Sequence, residues 1–404
     1  MTTDARPTRR LVGTGSRVAI AMVVMNAAVY LFNVVAARAL EPRDLGAVAA
    51  LLGVVLVGNV ASLAVQATTA RRIAVEPGSA ADVVATAGRV SVVVAVVVGA
   101  LAMALSPVLE RALRLDSVWP VLLCGASLVP LTVMGAVAGV AQGSGRWGSL
   151  SSVYVVNGLG RLLGGSVAVL VSPTVTAAML GIAVGAWAPV LAGLHLLRRD
   201  AGTTPAPPRP FVREAVRGSH ALLAYVLLSN LDALLARSVL SPHDSGLYAS
   251  GLILAKAALF LPQFVSVVLF PDLARSTGHR ARLRAVGLVA GLGAVAVAAT
   301  AALPQVALVL VGGGQYREIA DLLWLFALSG SVLAIVHLLV FDALARQSHG
   351  VIPLLWVASA TVVVLAATLD LHVAGLATVV AGVAVATAVG AYAVSHRSGP
   401  APPA

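Results

Sequence analysis

The chain carries a single cysteine, Cys124, among 404 residues, which excludes a disulfide framework and a cysteine metal site and leaves that thiol as a small core residue. Charge is scarce too. Only 11% of residues are charged against 59% hydrophobic, and mean hydropathy is +0.97; a single soluble core could not bury so much apolar surface. The sequence lacks a Gly-x-x-x-x-Gly-Lys-Ser/Thr loop, so ATP is excluded as an energy source within the chain. It also lacks any hydrophilic stretch large enough for an extramembrane domain or for the nucleotide-sugar site of a glycosyltransferase. What these absences leave is a polytopic membrane protein that is not an enzyme and calls for no cofactor or metal.

Apolar segments are what the chain has in abundance. Twelve reach the roughly 20 residues that span a bilayer as a helix: 17–39, 45–66, 83–106, 119–141, 151–171, 174–197, 219–240, 246–271, 284–310, 318–342, 351–369 and 373–394. The first is too long for a signal-peptide core and reads as a retained helix. The net charge of +11 invites a nucleic-acid reading, but the placement of the arginines argues against it. With the N-terminus cytoplasmic, nineteen arginines fall on the inner side, among them Arg71, Arg72, Arg146 and Arg284, and six fall outside: Arg38, Arg43, Arg111, Arg114, Arg237 and Arg317. That is the positive-inside bias, so both termini are expected in the cytoplasm of a multi-pass inner-membrane protein with no nucleic-acid partner.

The segments are one unit used twice. Residues 40–49 read LEPRDLGAVA and residues 240–249 read LSPHDSGLYA, so Leu, Pro, Asp, Gly and Ala recur at a spacing of 200, with Arg38 and Arg237 just before each copy. Each Pro-x-Asp-x-Gly turn reads as a tight hairpin in which proline stops the incoming helix and aspartate caps the outgoing one. The expected organisation is an N-terminal six-helix lobe over 1–198, a cytoplasmic linker over 199–218 that is extended through its proline-rich centre, a C-terminal six-helix lobe over 219–395 and a tail over 396–404. A doubled bundle of this kind is a transporter's architecture, with the substrate path between the halves.

Five landmarks occur in order: Arg38–Gly46, Asn230–Tyr248, Leu269–Ala274 (LFPDLA), Val311–Ala320 (VGGGQYREIA) and His372–Thr378 (HVAGLAT). Together they resemble the polysaccharide-unit flippases of the multidrug/oligosaccharidyl-lipid/polysaccharide exporter superfamily. The resemblance implies an all-α, MATE-like membrane fold in which two pseudo-symmetric six-helix lobes form a V. It also implies a central cavity, opening alternately to either side, that moves a polyprenyl-linked oligosaccharide outward.

Such a substrate has an anionic, polar head, so its carrier needs buried cationic groups. Three charges lie deep in the segments: Arg161 near the middle of the fifth, flanked by Asn157, Gly160 and Gly164; Asp232 in the seventh; and Lys256, the only lysine, in the eighth. Arg161 reads either as a phosphate contact or as a donor to neighbouring backbone carbonyls. Asp232 and Lys256 read either as a salt bridge between sequential helices or as a protonatable switch that releases the lysine to the headgroup. Asn33, Asn59 and Asn230 are interhelical hydrogen-bond partners or contacts for sugar hydroxyls. His337 reads as a packing residue, Asp342 as a local partner of Arg346, and the glycines at 135, 139, 143, 160 and 164 as close-packing stripes. Pro130, Pro189, Pro262 and Pro304 mark expected kinks.

The function expected is flipping of a lipid-linked glycan across the bilayer by alternating access, driven by the membrane potential or coupled to protons or sodium. Envelope polysaccharide polymerases and glycosyltransferases are its expected neighbours. The alternatives are a drug/cation antiporter on the same fold and a non-transporting scaffold for envelope assembly.

Overall fold

The computed structural model describes residues 6–200, 202, 208–260, 279–345 and 350–397. The described elements are all helical. In the first half these are α1 (Arg6–Ala39), α2 (Pro42–Gly58), α3 (Val60–Val75), α4 (Ala80–Ala104), α5 (Ser106–Ala112), α6 (Trp119–Gly143), α7 (Trp147–Val171), α8 (Val175–Gly185) and α9 (Ala188–Arg199). The second half has α10 (Pro208–Leu228), α11 (Leu231–Val239), α12 (Pro242–Leu259), α13 (His279–Ala302), α14 (Pro304–Val311), α15 (Leu323–Ala345), α16 (Val351–Thr368) and α17 (Val373–Arg397). Among the described residues ten helices are long and apolar enough to cross a membrane, and α10 with α11, bent by 43°, makes an eleventh if counted as one span. The eighth expected segment starts in α12 and continues into residues outside the described set.

Several spans are broken where the sequence cannot continue a helix. Pro189 takes the first turn of α9, where its missing N–H costs nothing, and Pro304 does the same for α14. Pro130 lies inside the continuous helix α6, while Pro262 and the landmark Leu269–Ala274 lie outside the described residues. The glycine stripes let backbones touch. A Cβ on Gly139 would sit 2.7 Å from the Gln66 carbonyl of α3, and Gly164 of α7 faces the backbone of Gly181 on α8.

The two lobes meet chiefly where α2 lies against α12 and α11, and the two repeated decapeptides cross at this contact. A Cβ on Gly246 would collide with the Pro42 carbonyl, and one on Gly46 with the Ser245 hydroxyl. The glycines thus recur at a spacing of 200 because each must admit the backbone of the other copy. The aspartates do not cap as expected. Ser241 is the N-cap of α12 and accepts from the Asp244 N–H at 3.0 Å, while its own hydroxyl donates to Asp244 Oδ2 at 2.8 Å. In the first copy Glu41 holds the cap position and makes no side-chain cap bond. The physical reason is register: the proline occupies the first helical position, which puts the aspartate three residues past the cap.

The linker is also shorter than expected. Residues 208–218 are the first turns of α10. Phe211 is fully buried among Val65, Ala87, Val90 and Ala136 of the first lobe, with the Arg72 guanidinium 5.3 Å from its ring centroid. Glu214 accepts from Arg71 at 2.8 Å and from Arg72 at 2.9 Å. An aromatic anchor and a shared carboxylate therefore fasten the start of the second half to the first.

Candidate functional site

Between the lobes lies a cavity of about 330 Å³. Its first-lobe wall presents Asn26, Tyr30 and Asn33 from α1, Asn59 from the break between α2 and α3, and Asn157 with Arg161 from α7; its second-lobe wall presents Ser229, Asn230 and Lys256. The four residues expected to bind substrate, Arg161, Lys256, Asn33 and Asn230, thus lie on one cavity. Among the described residues no carboxylate lines it. Asn26 and Tyr30 join Asn33 here because spacings of four and three residues put 26, 30 and 33 on one helical face, the one signal in the sequence that marks them.

The two cations are held differently. Arg161 lies over the fully buried Phe32, its guanidinium carbon 5.5 Å from the ring centroid. Its Nε is buried without a hydrogen-bond partner, as is Asn59 Oδ1. Among the described residues Arg161 has no ion-pair partner, and the alternative of bonding to neighbouring carbonyls is not realised. A ring face offsets only part of the desolvation cost of a guanidinium, so this residue has unused capacity toward an anion.

Lys256, in contrast, is committed. Its ammonium donates to the Ser229 carbonyl and, at 3.0 Å, to Asn230 Oδ1. Both acceptors sit at the break between α10 and α11, where the backbone leaves the helix and frees a carbonyl. Asn230 in turn donates to the Val226 carbonyl at 2.8 Å. Asp232 is 5% exposed, and its Oδ1 accepts from the Ala233 N–H at 2.9 Å in the first turn of α11, where a negative charge meets the positive end of the helix dipole. The expected salt bridge between Asp232 and Lys256 is not formed among the described residues. The break supplies each with nearer partners, and the two instead share a second, much smaller cavity with Ser229, Tyr248 and Ser329.

The remaining polar residues have local roles. His337 Nδ1 lies 2.9 Å from the Tyr225 hydroxyl, and its ring stacks on Phe341, so it is a satisfied packing residue. The Arg346 expected to pair with Asp342 lies outside the described residues.

At the end of the bundle carrying the Pro-x-Asp-x-Gly turns the lobes are stitched together by side chains reaching across to backbone carbonyls. From the first lobe, Arg38 donates to the Val309 carbonyl at 3.0 Å and the Tyr30 hydroxyl to that of Leu310 at 2.9 Å; in return the Tyr316 hydroxyl donates to Ala37 at 2.9 Å. From the second lobe the buried Arg237 donates to the carbonyls of Leu113 (2.8 Å), Arg43 (3.0 Å) and Arg114 (3.0 Å), and Arg114 returns a bond to the Arg237 carbonyl at 2.8 Å. The two arginines that precede the repeated turns thus both reach across to the other lobe, Arg38 with one exposed bond and the buried Arg237 with three.

No protein-family model matches the chain, and no curated protein is significantly similar to it in sequence. Solved structures do match its fold. An inward-facing multidrug resistance MATE family transporter of the MOP superfamily superposes with TM-score 0.73 at 12% identity, covering 94% of this chain and 99% of that one. Lipid II flippase MurJ in an inward closed conformation gives TM-score 0.71 at 10% identity, covering 94% and 87%. A MOP superfamily transporter from Pyrococcus furiosus, described as having a binding pocket of reversed polarity, gives TM-score 0.64 at 14% identity, covering 96% and 95%. The chain has the MATE-like fold of these membrane transporters.

Proposed function

We propose that this protein flips an anionic, lipid-linked oligosaccharide from the cytoplasmic to the outer leaflet by alternating access. The observation that carries the reading is the sign of the cavity: Arg161 with an unsatisfied Nε, Lys256 and, among the described residues, no lining carboxylate. Arg161 contacts the phosphate, since its planar fork suits a bidentate anion. The amides of Asn33 and Asn59, with Asn26 and Asn157 beside them, face the polar head. A drug/cation antiporter would need a carboxylate on this wall, and Asp232 is withdrawn into the second lobe.

With both termini cytoplasmic, as the arginine distribution predicts, the stitched turn end is the outer face and this conformation awaits substrate from inside. Moving an anionic head outward from a negative interior is favoured by roughly 2.3 kcal/mol per charge per 100 mV, so the membrane potential alone is a sufficient drive. The test is binding of a polyprenyl pyrophosphate to purified protein. We expect Arg161→Ala to weaken it at least tenfold, the 1.4 kcal/mol or more of one charged hydrogen bond. Equal affinity in the variant, or a preference for a lipophilic cation, would overturn the assignment.

A further inference from the structure

The polar groups of the two lobes differ in one respect. Those of the first lobe, Arg161 Nε and Asn59 Oδ1, are buried without a hydrogen-bond partner on residues that line the cavity, whereas those of the second lobe close on one another. At the α10–α11 break a main-chain carbonyl (Ser229), an amide oxygen (Asn230 Oδ1) and, across a small cavity, a carboxylate (Asp232) surround one ammonium. Carbonyl, amide and carboxylate oxygens at a helix break are the donor set with which discontinuous membrane helices hold a monovalent cation. Here a cation already stands among them, carried on a side chain.

We propose that Lys256 is a tethered cation filling a latent alkali-ion site in the second lobe, so that the protein takes up no sodium or potassium there. This rests on the transporter reading but not on the identity of the substrate. Space supports it: the pocket that Asp232 and Lys256 share has about 10 Å³, at or below the 10–15 Å³ that a single water needs, so it has no room for an ion beside the lysine. Charge supports it as well. The Asp232 carboxyl shares this pocket with the Lys256 ammonium without bonding it, and a second cation beside the lysine would be uncompensated. Removing the side chain would leave oxygens, a negative charge and an empty volume, which is a site for a small cation.

The experiment is thermal unfolding of purified protein in sodium, potassium, ammonium or choline chloride at fixed ionic strength. For the unaltered chain we expect one Tm in all four salts. For Lys256→Ala we expect a lower Tm in choline and a saturable rise with sodium, potassium or ammonium. Because Lys256→Ala could fail to fold without a small cation, Lys256→Gln serves beside it, its amide donating to the same oxygens with no charge. Recovery of folded Lys256→Ala only when it is prepared in a small-cation salt supports the proposal. A saturable, ion-specific Tm rise in the unaltered chain overturns it, as does folded Lys256→Ala indifferent to every salt, or Lys256→Ala that folds in no salt while Lys256→Gln folds in all of them. Substrate binding is not measured in these experiments, so failure of the flippase reading would appear in the Arg161 variants instead.

Discussion

Arg161 and Lys256 are both intramembrane cations, and each has a different reason to tolerate the desolvation that such a position costs. Lys256 is offset by fixed oxygens of its own lobe; Arg161 has a ring beneath it and a buried Nε without a partner. Substitution should separate them. Arg161→Lys keeps charge but loses the fork and should transport at a reduced rate, and Arg161→Ala should be nearly inactive, both at normal abundance in the membrane. Loss of Arg161→Ala from the membrane as misfolded protein, measured by detergent-solubilised size-exclusion yield, would make the residue structural. The sequence marked both cations by depth alone. It could not show which was satisfied, because the Ser229 carbonyl that holds Lys256 is freed by a helix break, and neither glycine nor proline occurs at that break to announce it.

At the scale of elements, the cross-lobe bonds at the turn end are the work of loops and helix ends. Removing Arg237 would leave the carbonyls of Leu113, Arg43 and Arg114 without their donors, at about 1–3 kcal/mol for each group that water does not reach. In a Cys124→Ser background, Arg237→Gln should therefore raise labelling of an Ala49→Cys cavity reporter by a membrane-impermeant maleimide added from the turn side, about tenfold for each 1.4 kcal/mol lost from the seal. An unchanged labelling rate would mean the arginine is not a gate. The opposite end has its own fastening in Phe211. Truncation of a fully buried phenylalanine typically costs about 3–5 kcal/mol, so Phe211→Ala should lower Tm and weaken docking of α10 on α3, whereas Glu214→Gln, which removes two partly exposed ion pairs, should cost only about 1 kcal/mol. A thermal-melt series over the two variants checks that order.

For the molecule as a whole, the duplication was legible because a membrane leaves little freedom: spans must be long and apolar, and the turn glycines recur where the copies press on each other. The linker's true extent was not legible. Pro208 and Pro210 look like breakers, yet they begin α10, where a missing N–H is harmless. Orientation rests on the arginine count, and reporter fusions at Pro208 and Gly314 should report opposite sides of the membrane; a shared side would sink the topology. The central claim is that a cationic cavity between two lobes carries an anionic lipid-linked head across the bilayer. The most direct measurement is a reconstituted flipping assay in proteoliposomes, with a fluorescent polyprenyl-pyrophosphate oligosaccharide read by a membrane-impermeant quencher. The account predicts flipping well above protein-free vesicles with the unaltered chain and near background with Arg161→Ala. Background flipping by folded, unaltered protein that instead moves a lipophilic cation would contradict it.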